Sequence, residues 1–281
     1  MSKTVRTTKI AAIQLRATDN LEKNLENMER LTLEAVAKGA ESIFLPEAFA
    51  YLGPEKEKRK LLEALPIEGS SPPGPILKRC LQIAKNSSCD LILGGFHEKS
   101  EANGKCFNTC IHVKDDGRIE NVYRKIHLFD IELSDGTFLK ESAVTEPGGN
   151  LVTTSMPFGK LGLSICYDLR FPYLYQGLVD MGAIAITVPS AFTVTTGKAH
   201  WHTLLRARAI ECQSYIIAPA QFGHNWGKRY SYGHTTIIDP WGEIIGEQDS
   251  GEGIVLAEIS PERVAQVRKE LPSLEHRRSL E

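Results

Sequence analysis

Apolar positions along the chain follow two rhythms, one of strand type and one of helical type. Residues 9–16, KIAAIQLR, are a near-continuous apolar run of strand length, and Leu21, Leu25, Met28, Leu31 and Val36 then recur near helical spacing. Asp19 with Glu22 predicts a capping box opening that helix, and Gly39 supplies its stop. SIFLPEAF (42–49) is too short for a helix and reads as a strand returning parallel to the first, which closes a βαβ unit.

A stretch interrupted by Pro, Gly and Ser over 53–75 surrounds a charged helical patch, EKEKRKLLEAL, and PILKRCLQIAKNS reads as the next helix. LILGGFHEK (91–99) is another strand. Segments 106–113 and 119–126 pair as a hairpin across Asp115-Asp116-Gly117. The second half repeats the theme without repeating the sequence. LVTTSMPFGKLGLSICYD gives two strands around a Phe158-Gly159 turn, and FPYLYQGLVDMG is a helix opened by Pro172. AIAITVPSAF, YIIAPAQF and GIVLAEIS read as strands, HWHTLLRARAIECQ and PERVAQVRKEL as helices, and YGHTTIIDPWGEIIGEQ as two strands around Asp239-Pro240-Trp241-Gly242. No linker, low-complexity tract or charge block divides the chain. Residues 1–281 therefore read as one α/β domain, sheet against helices, with a core at 8–260 and a C-terminal helix and tail at 261–281.

Composition narrows the partners. A chain of 281 residues with 42% apolar side chains can bury a large core. Lys plus Arg (33) nearly balances Asp plus Glu (35), so the net charge of −2 offers no field to gather nucleic acid or an anionic membrane. No apolar run approaches membrane-spanning length, and the segment MSKTVRTTKIAAIQL lacks the form of a secretory signal. The six cysteines lie sparsely in mostly apolar contexts, which suits reduced thiols and a cytoplasmic location.

Candidate chemistry gathers where apolar runs end. Cys166 closes LGLSIC and precedes polar YDLR and the helix at Pro172, the edge at which open α/β sheets place their ligands. The helix dipole and free backbone amides there favour a thiolate, and the Tyr167 amide is a natural oxyanion donor. The commoner fate of a free cysteine is a small buried hydrophobe, and position alone leaves both readings open. Glu47 likewise closes a strand at LPE, where Phe44, Leu45, Phe49 and Tyr51 should raise its pKa towards the range of a general base. An exposed strand-end carboxylate is the more usual fate of a Glu. Lys125, ending a hairpin strand, would by itself be a solvated lysine. His200 and His202 flank Trp201 at a spacing that turns them to different sides of a helix, and neither HExxH nor paired CxxC occurs, so no metal is expected. Ser164 sits inside a strand in an incomplete GxSxG, and phosphate-binding glycine loops are missing, so a serine triad and a nucleotide cofactor are not expected either.

Together, LPE at 45–47, YRKIHLFD at 123–130 and ICYDLRFP at 165–172 resemble the three signature segments of the nitrilase superfamily of carbon–nitrogen hydrolases, and the similarity runs from KIAAIQL to HRRSL. The resemblance implies an α-β-β-α sandwich that becomes α-β-β-α-α-β-β-α on dimerisation, with 261–281 at the dimer interface. It implies Glu47 as general base, Lys125 as stabiliser of the tetrahedral intermediate, Cys166 as nucleophile and Glu141 as a supporting acid, and no metal or organic cofactor. SAFTVTTGKAHWHTLLRARAIE, KRYSYGHTTIIDPWG and LPSLEHRR are similar to the Nit branch, although His202 stands where many relatives carry an acidic residue. That similarity implies an amide substrate with a 2-oxo acid end: the 2-oxo analogue of glutathione, with 2-oxoglutaramate as the alternative. Arg170 would hold the substrate carboxylate unless Asp168 or another acid claims it, with Tyr167, Phe192 and Thr196 lining the pocket. A nitrilase or N-carbamoyl amidohydrolase on the same triad is a further alternative, and a catalytically silent scaffold the last.

Overall fold

The computed structural model describes residues 5–66, 72–101, 104–132 and 138–278. In chain order the first half runs β1 (Thr8–Gln14), α1 (Leu21–Ala37), β2 (Ser42–Phe44), α2 (Glu55–Lys58), α3 (Pro75–Ser87), β3 (Asp90–Lys99), β4 (Cys106–Val113), β5 (Ile119–Arg124), β6 (Asp130–Glu132) and β7 (Phe138–Lys140). The second runs β8 (Thr153–Met156), β9 (Gly159–Leu163), α4 (Pro172–Asp180), β10 (Ala185–Thr187), α5 (Val194–Cys212), β11 (Tyr215–Ala218), β12 (Phe222–Trp226), β13 (Arg229–Tyr232), β14 (Thr235–Ile238), β15 (Ile244–Gln248), β16 (Gly253–Ile259) and α6 (Pro261–Glu270).

Two six-stranded sheets result, ordered β16-β1-β2-β3-β4-β5 and β15-β14-β11-β10-β9-β8. In each, the parallel strands occupy the middle and antiparallel partners close the edges. Burial on both faces explains why the central strands read as continuous apolar runs. Along β1, Ala11 and Ile13 pack with Leu25, Met28 and Leu31 of α1 and with Ile83 of α3, whereas Ile10 and Ala12 share a cluster with Leu161, Leu163 and Ile217 of the other sheet. That cluster continues to Leu174 and Leu178 of α4 and to Trp201 and Leu205 of α5. The architecture is thus an α-β-β-α sandwich, as the sequence led one to expect.

Several boundaries move. Asn20, not Asp19, caps α1, its side chain accepting the Lys23 N–H at 3.0 Å. The strand expected over 42–49 ends at Phe44, since Pro46 cannot donate to a ladder. Only Glu55–Lys58 of the charged patch is α-helical, and a 3-10 turn follows at Arg59–Leu61. The helix expected from His200 begins at Val194, where the Thr193 side chain caps it. The pairs β6·β7 and β12·β13, built from short polar segments without clear alternation, were not anticipated. Part of the interrupted 53–75 stretch, 67–71, lies outside the described residues.

Candidate active site

Glu47 leaves the sheet directly after β2, and it passes across β3 at a pair of glycines. The Leu45 N–H bonds Ile92 O at 2.9 Å and the Ala48 N–H bonds Gly95 O at 3.1 Å. A Cβ at Gly94 would stand 2.0 Å from Leu45 O, and one at Gly95 would stand 2.7 Å from Ala48 N. Only glycine admits this approach. Lys125 follows β5, with its backbone N–H held by Asn108 O at 2.9 Å and its side chain only 2% exposed. Cys166 opens a 3-10 turn, Cys166–Arg170, three residues past the end of β9. Its φ of 49° is in the left-handed region, a strained placement for a residue with a Cβ, and its N–H is held by Pro189 O at 3.0 Å.

Hydrogen bonds draw these distant segments together. Lys125 Nζ donates to Glu47 Oε1 at 2.9 Å and to Glu141 Oε2 at 2.9 Å. Glu47 Oε2 accepts the Ala191 N–H at 2.9 Å, and Glu141 Oε2 accepts the Phe129 N–H at 2.7 Å. Asn108 Nδ2 bridges the two acids, at 2.8 Å from Glu47 and 3.2 Å from Glu141. The Cys166 thiol completes the group, on the same cavity wall as Glu47 and close enough for the two to act on each other's protonation. Asn108 escaped the sequence reading; on a strand it looks like any half-buried polar residue.

Electrostatics here reverse two expectations. Burial by itself would push the Glu47 carboxyl up, but the Lys125 charge and hydrogen bonds from Cys166, Lys125 and Asn108 outweigh it and hold Glu47 below the ordinary carboxylate value. Burial and the neighbouring Glu47 charge push the Cys166 thiol up, against the pull of Lys125, so the resting sulfur is a thiol rather than the thiolate expected from a helix dipole. Lys125 is held well above its ordinary value, because Glu141 and Glu47 overcome the cost of burying its charge. The resting arrangement is carboxylate, ammonium and neutral thiol.

Asp168, fully buried, ties the turn of Cys166 to the strand end of Lys125. Its Oδ2 accepts from Tyr123 Oη at 2.7 Å and from the Ile165 N–H at 2.9 Å, while Oδ1 meets the His127 N–H at 3.0 Å and His127 Nδ1 at 2.7 Å. The suggestion that Asp168 pairs with Arg170 therefore fails. Arg170 instead reaches His200 Nδ1 at 3.3 Å and lies 5.7 Å from the ring centres of both Tyr167 and Phe192. Phe192 packs on Trp201, and Thr196 Oγ1 bonds Thr193 Oγ1 at 2.9 Å in the cap of α5.

A cavity of about 240 Å³ opens beside the triad, lined by Glu47, Asn108, Lys125, Phe129, Glu141, Cys166 and Ala191, with Tyr51, Lys58, His97 and Arg229 also on its wall. Tyr167, Arg170, Phe192 and Thr196 do not line it. Tyr167 and Phe192 border it indirectly, through the Tyr167 ring against Phe129 at 4.9 Å and through Ala191 as the chain neighbour of Phe192. Elsewhere His202 Nε2 and His234 Nδ1 both meet Glu247 Oε1, at 2.8 and 2.7 Å, a grouping that could hold a metal ion but lies off the cavity wall. His202 thus faces an acid of its own. Ser164 is buried with its hydroxyl on Thr187 O and Tyr175 Oη, which leaves it no catalytic part.

Comparison with known proteins converges on one family. Residues 9–269 match the family described as Carbon-nitrogen hydrolase. The chain is 43% identical over 271 residues to "Deaminated glutathione amidase" of Synechocystis sp., covering 95% of this chain and 97% of that one. Among solved structures, the NitFhit protein of C. elegans superposes with a TM-score of 0.89 at 36% identity, covering 98% of this chain and 66% of its own. Nit3 of Saccharomyces cerevisiae, described as a member of branch 10 of the nitrilase superfamily, gives 0.85 at 30% identity with 95% of each chain covered.

Proposed function

The chain belongs to the carbon–nitrogen hydrolase family, and from that premise we propose that it is an amidase that cleaves deaminated glutathione to 2-oxoglutarate and cysteinylglycine. The observation that carries the chemistry is a buried Glu47 carboxylate hydrogen-bonded to the Lys125 ammonium, on the wall of one cavity with the Cys166 thiol. The substrate rests on the 43% identity to a deaminated glutathione amidase across nearly the whole of both chains.

In the reaction the Cys166 sulfur attacks the amide carbon as its proton passes to Glu47, and Lys125 with the Tyr167 amide receives the negative charge on oxygen. Glu47 returns the proton to the departing amine, the C–N bond breaks, and an acyl thioester remains on Cys166. Water then loses a proton to Glu47, adds to the thioester, and releases the acid and the thiol. Glu141 and Asn108 keep Lys125 and Glu47 aligned through both halves. Arg170, beside Tyr167 and Phe192, would receive the 2-oxo acid carboxylate, with no acid among the described residues competing for it in an ion pair.

Two properties of the whole protein belong to the same reading. Six buried, unpaired cysteines suit a reducing compartment, and no helix among the described residues is long and apolar enough to cross a membrane; we place the enzyme in the cytoplasm. Ile210 (46% exposed) lies against Gly242, the chain neighbour of Trp241 (48%), and Leu271 just after α6 is 48% exposed. We assign these side chains to a homodimer interface that includes the C-terminal segment.

The test is release of 2-oxoglutarate from deaminated glutathione and from 2-oxoglutaramate, side by side. The former should be the better substrate, and mass spectrometry should show an acyl adduct that Cys166→Ala abolishes. Much faster turnover of 2-oxoglutaramate would make the protein an ω-amidase. Ammonia and carbon dioxide from carbamoyl amines would move it to another member of the family, and an unchanged mass with every amide would leave a scaffold.

A further inference from the structure

We infer that Arg229 binds the carboxylate at the leaving-group end of the substrate, and so sets the preference for a peptide-like amine over ammonia. This rests on the proposed cleavage of deaminated glutathione and names the residue that reads its cysteinylglycine half.

Arg229 opens β13 immediately after the Gly227-Lys228 turn of the β12·β13 hairpin, and this hairpin carries it to the wall of the same cavity as Cys166 and Lys125. Four cationic side chains line that cavity. Lys125 is held by Glu47 and Glu141, and Lys58 by Glu55 at 2.7 Å. Lys140 stands opposite Asp130 in the β6·β7 pair, where its charge helps hold the Asp130 carboxyl down. Arg229 forms no ion pair within 4 Å among the described residues, and unlike Lys140 it is not set opposite an acid in a strand pair. Its charge is nonetheless felt inside the cavity. His97, bonded to Tyr51 O at 3.0 Å, is kept neutral with its pKa pushed down to about 4, first by burial, then by Lys58, with Arg229 adding in the same direction.

The substrate's own chemistry fits this distribution. Deaminated glutathione carries a carboxylate at each end, with the scissile amide between them. Arg170 lies outside the cavity lining, 5.7 Å from the Tyr167 and Phe192 ring centres, and Arg229 lies on the cavity wall; on this assignment each guanidinium takes one end of the dianion. A guanidinium fork matches a carboxylate with two parallel hydrogen bonds, which a solvated lysine cannot do. 2-Oxoglutaramate has no carboxylate beyond its amide nitrogen and cannot use Arg229.

The experiment compares wild type, Arg229→Gln and Arg229→Lys on both 2-oxo amides and on deaminated glutathione whose glycine carboxylate is capped as an amide. With Arg229→Gln, kcat/KM for deaminated glutathione should fall roughly 10- to 100-fold, mainly through KM. 2-Oxoglutaramate should stay within about twofold, and Arg229→Lys should recover part of the loss. The capped substrate should be poor for wild type and no poorer for Arg229→Gln. If Arg229→Gln leaves deaminated glutathione unchanged, or lowers both amides equally, Arg229 does not read the leaving group although the amidase reading stands. If wild type turns over neither amide, that reading falls and this inference with it.

Discussion

In the proposed reaction Glu47 acts first as a base and then as an acid in each half, and its surroundings set where that exchange begins. A carboxyl packed among Phe44, Leu45 and Phe49 would be drawn up by desolvation alone. Lys125, at 2.9 Å, reverses the direction, and the same Glu47 charge keeps the Cys166 proton on sulfur. The proton therefore moves only when a substrate carbon is present to take the sulfur. A pH profile follows. Because the Glu47 pKa lies below its ordinary 4.5, its stabilising contribution is present above that value and is lost as pH falls through the lowered one. Because the Lys125 pKa lies above its ordinary 10.5, its contribution is complete below that value and is lost as pH rises through the raised one. Steady-state kcat/KM should be level between these limits, and the ultraviolet absorbance of a thiolate should be missing from the free enzyme at neutral pH. A thiolate signal titrating near neutrality would overturn the carboxylate–thiol assignment.

At the scale of elements, the site depends on how strands end. β2 stops at Pro46, and the Gly94-Gly95 pair in β3 lets the chain cross, which aims Glu47 inward. The 3-10 turn after β9 presents Cys166, and Asp168 within that turn ties it to Tyr123 and His127 on either side of Lys125. Asp168→Asn keeps the shape but removes the charge and turns an acceptor into a donor facing other donors. It should cost about 2–3 kcal/mol of stability by denaturant unfolding, and lower kcat by about 100-fold as Cys166 and Lys125 lose register. If stability fell while kcat held, Asp168 would be a core residue only.

For the whole molecule, the cavity lies between two sheets. Glu47, Asn108 and Lys125 come from the strands and loops of the first, Cys166 and Ala191 from those of the second. The reacting groups are held apart or together by the packing of Phe44, Ile92 and Tyr123 against Leu161, Leu163 and Ile217. Exposed Ile210 and Trp241 extend the argument to assembly. Sedimentation should show wild type as a dimer or larger, and Ile210→Glu should shift it towards monomer at micromolar concentration. A monomeric wild type would refute the interface.

Much of this was readable in order along the chain. The α/β alternation, α3 to the residue, the β4·β5 hairpin and the strand-end positions of Glu47 and Cys166 all follow from apolar periodicity and turn residues, which act over a few neighbours. The motifs LPE, YRKIHLFD and ICYDLRFP pointed to the family for the same reason, since each is a local run. The contacts of Asn108 and Asp168 were not readable, because each is defined by partners far along the chain; the cap at Asn20 and the β12·β13 hairpin are local but were missed, since Asp19 offered an equally good cap and the two short strands lack clear alternation. Glu47 shows the division most sharply. Its neighbours in sequence speak only of burial and predict a raised pKa; Lys125, 78 residues away, decides the sign, and that contact exists only once the strand ends have been brought together by folding.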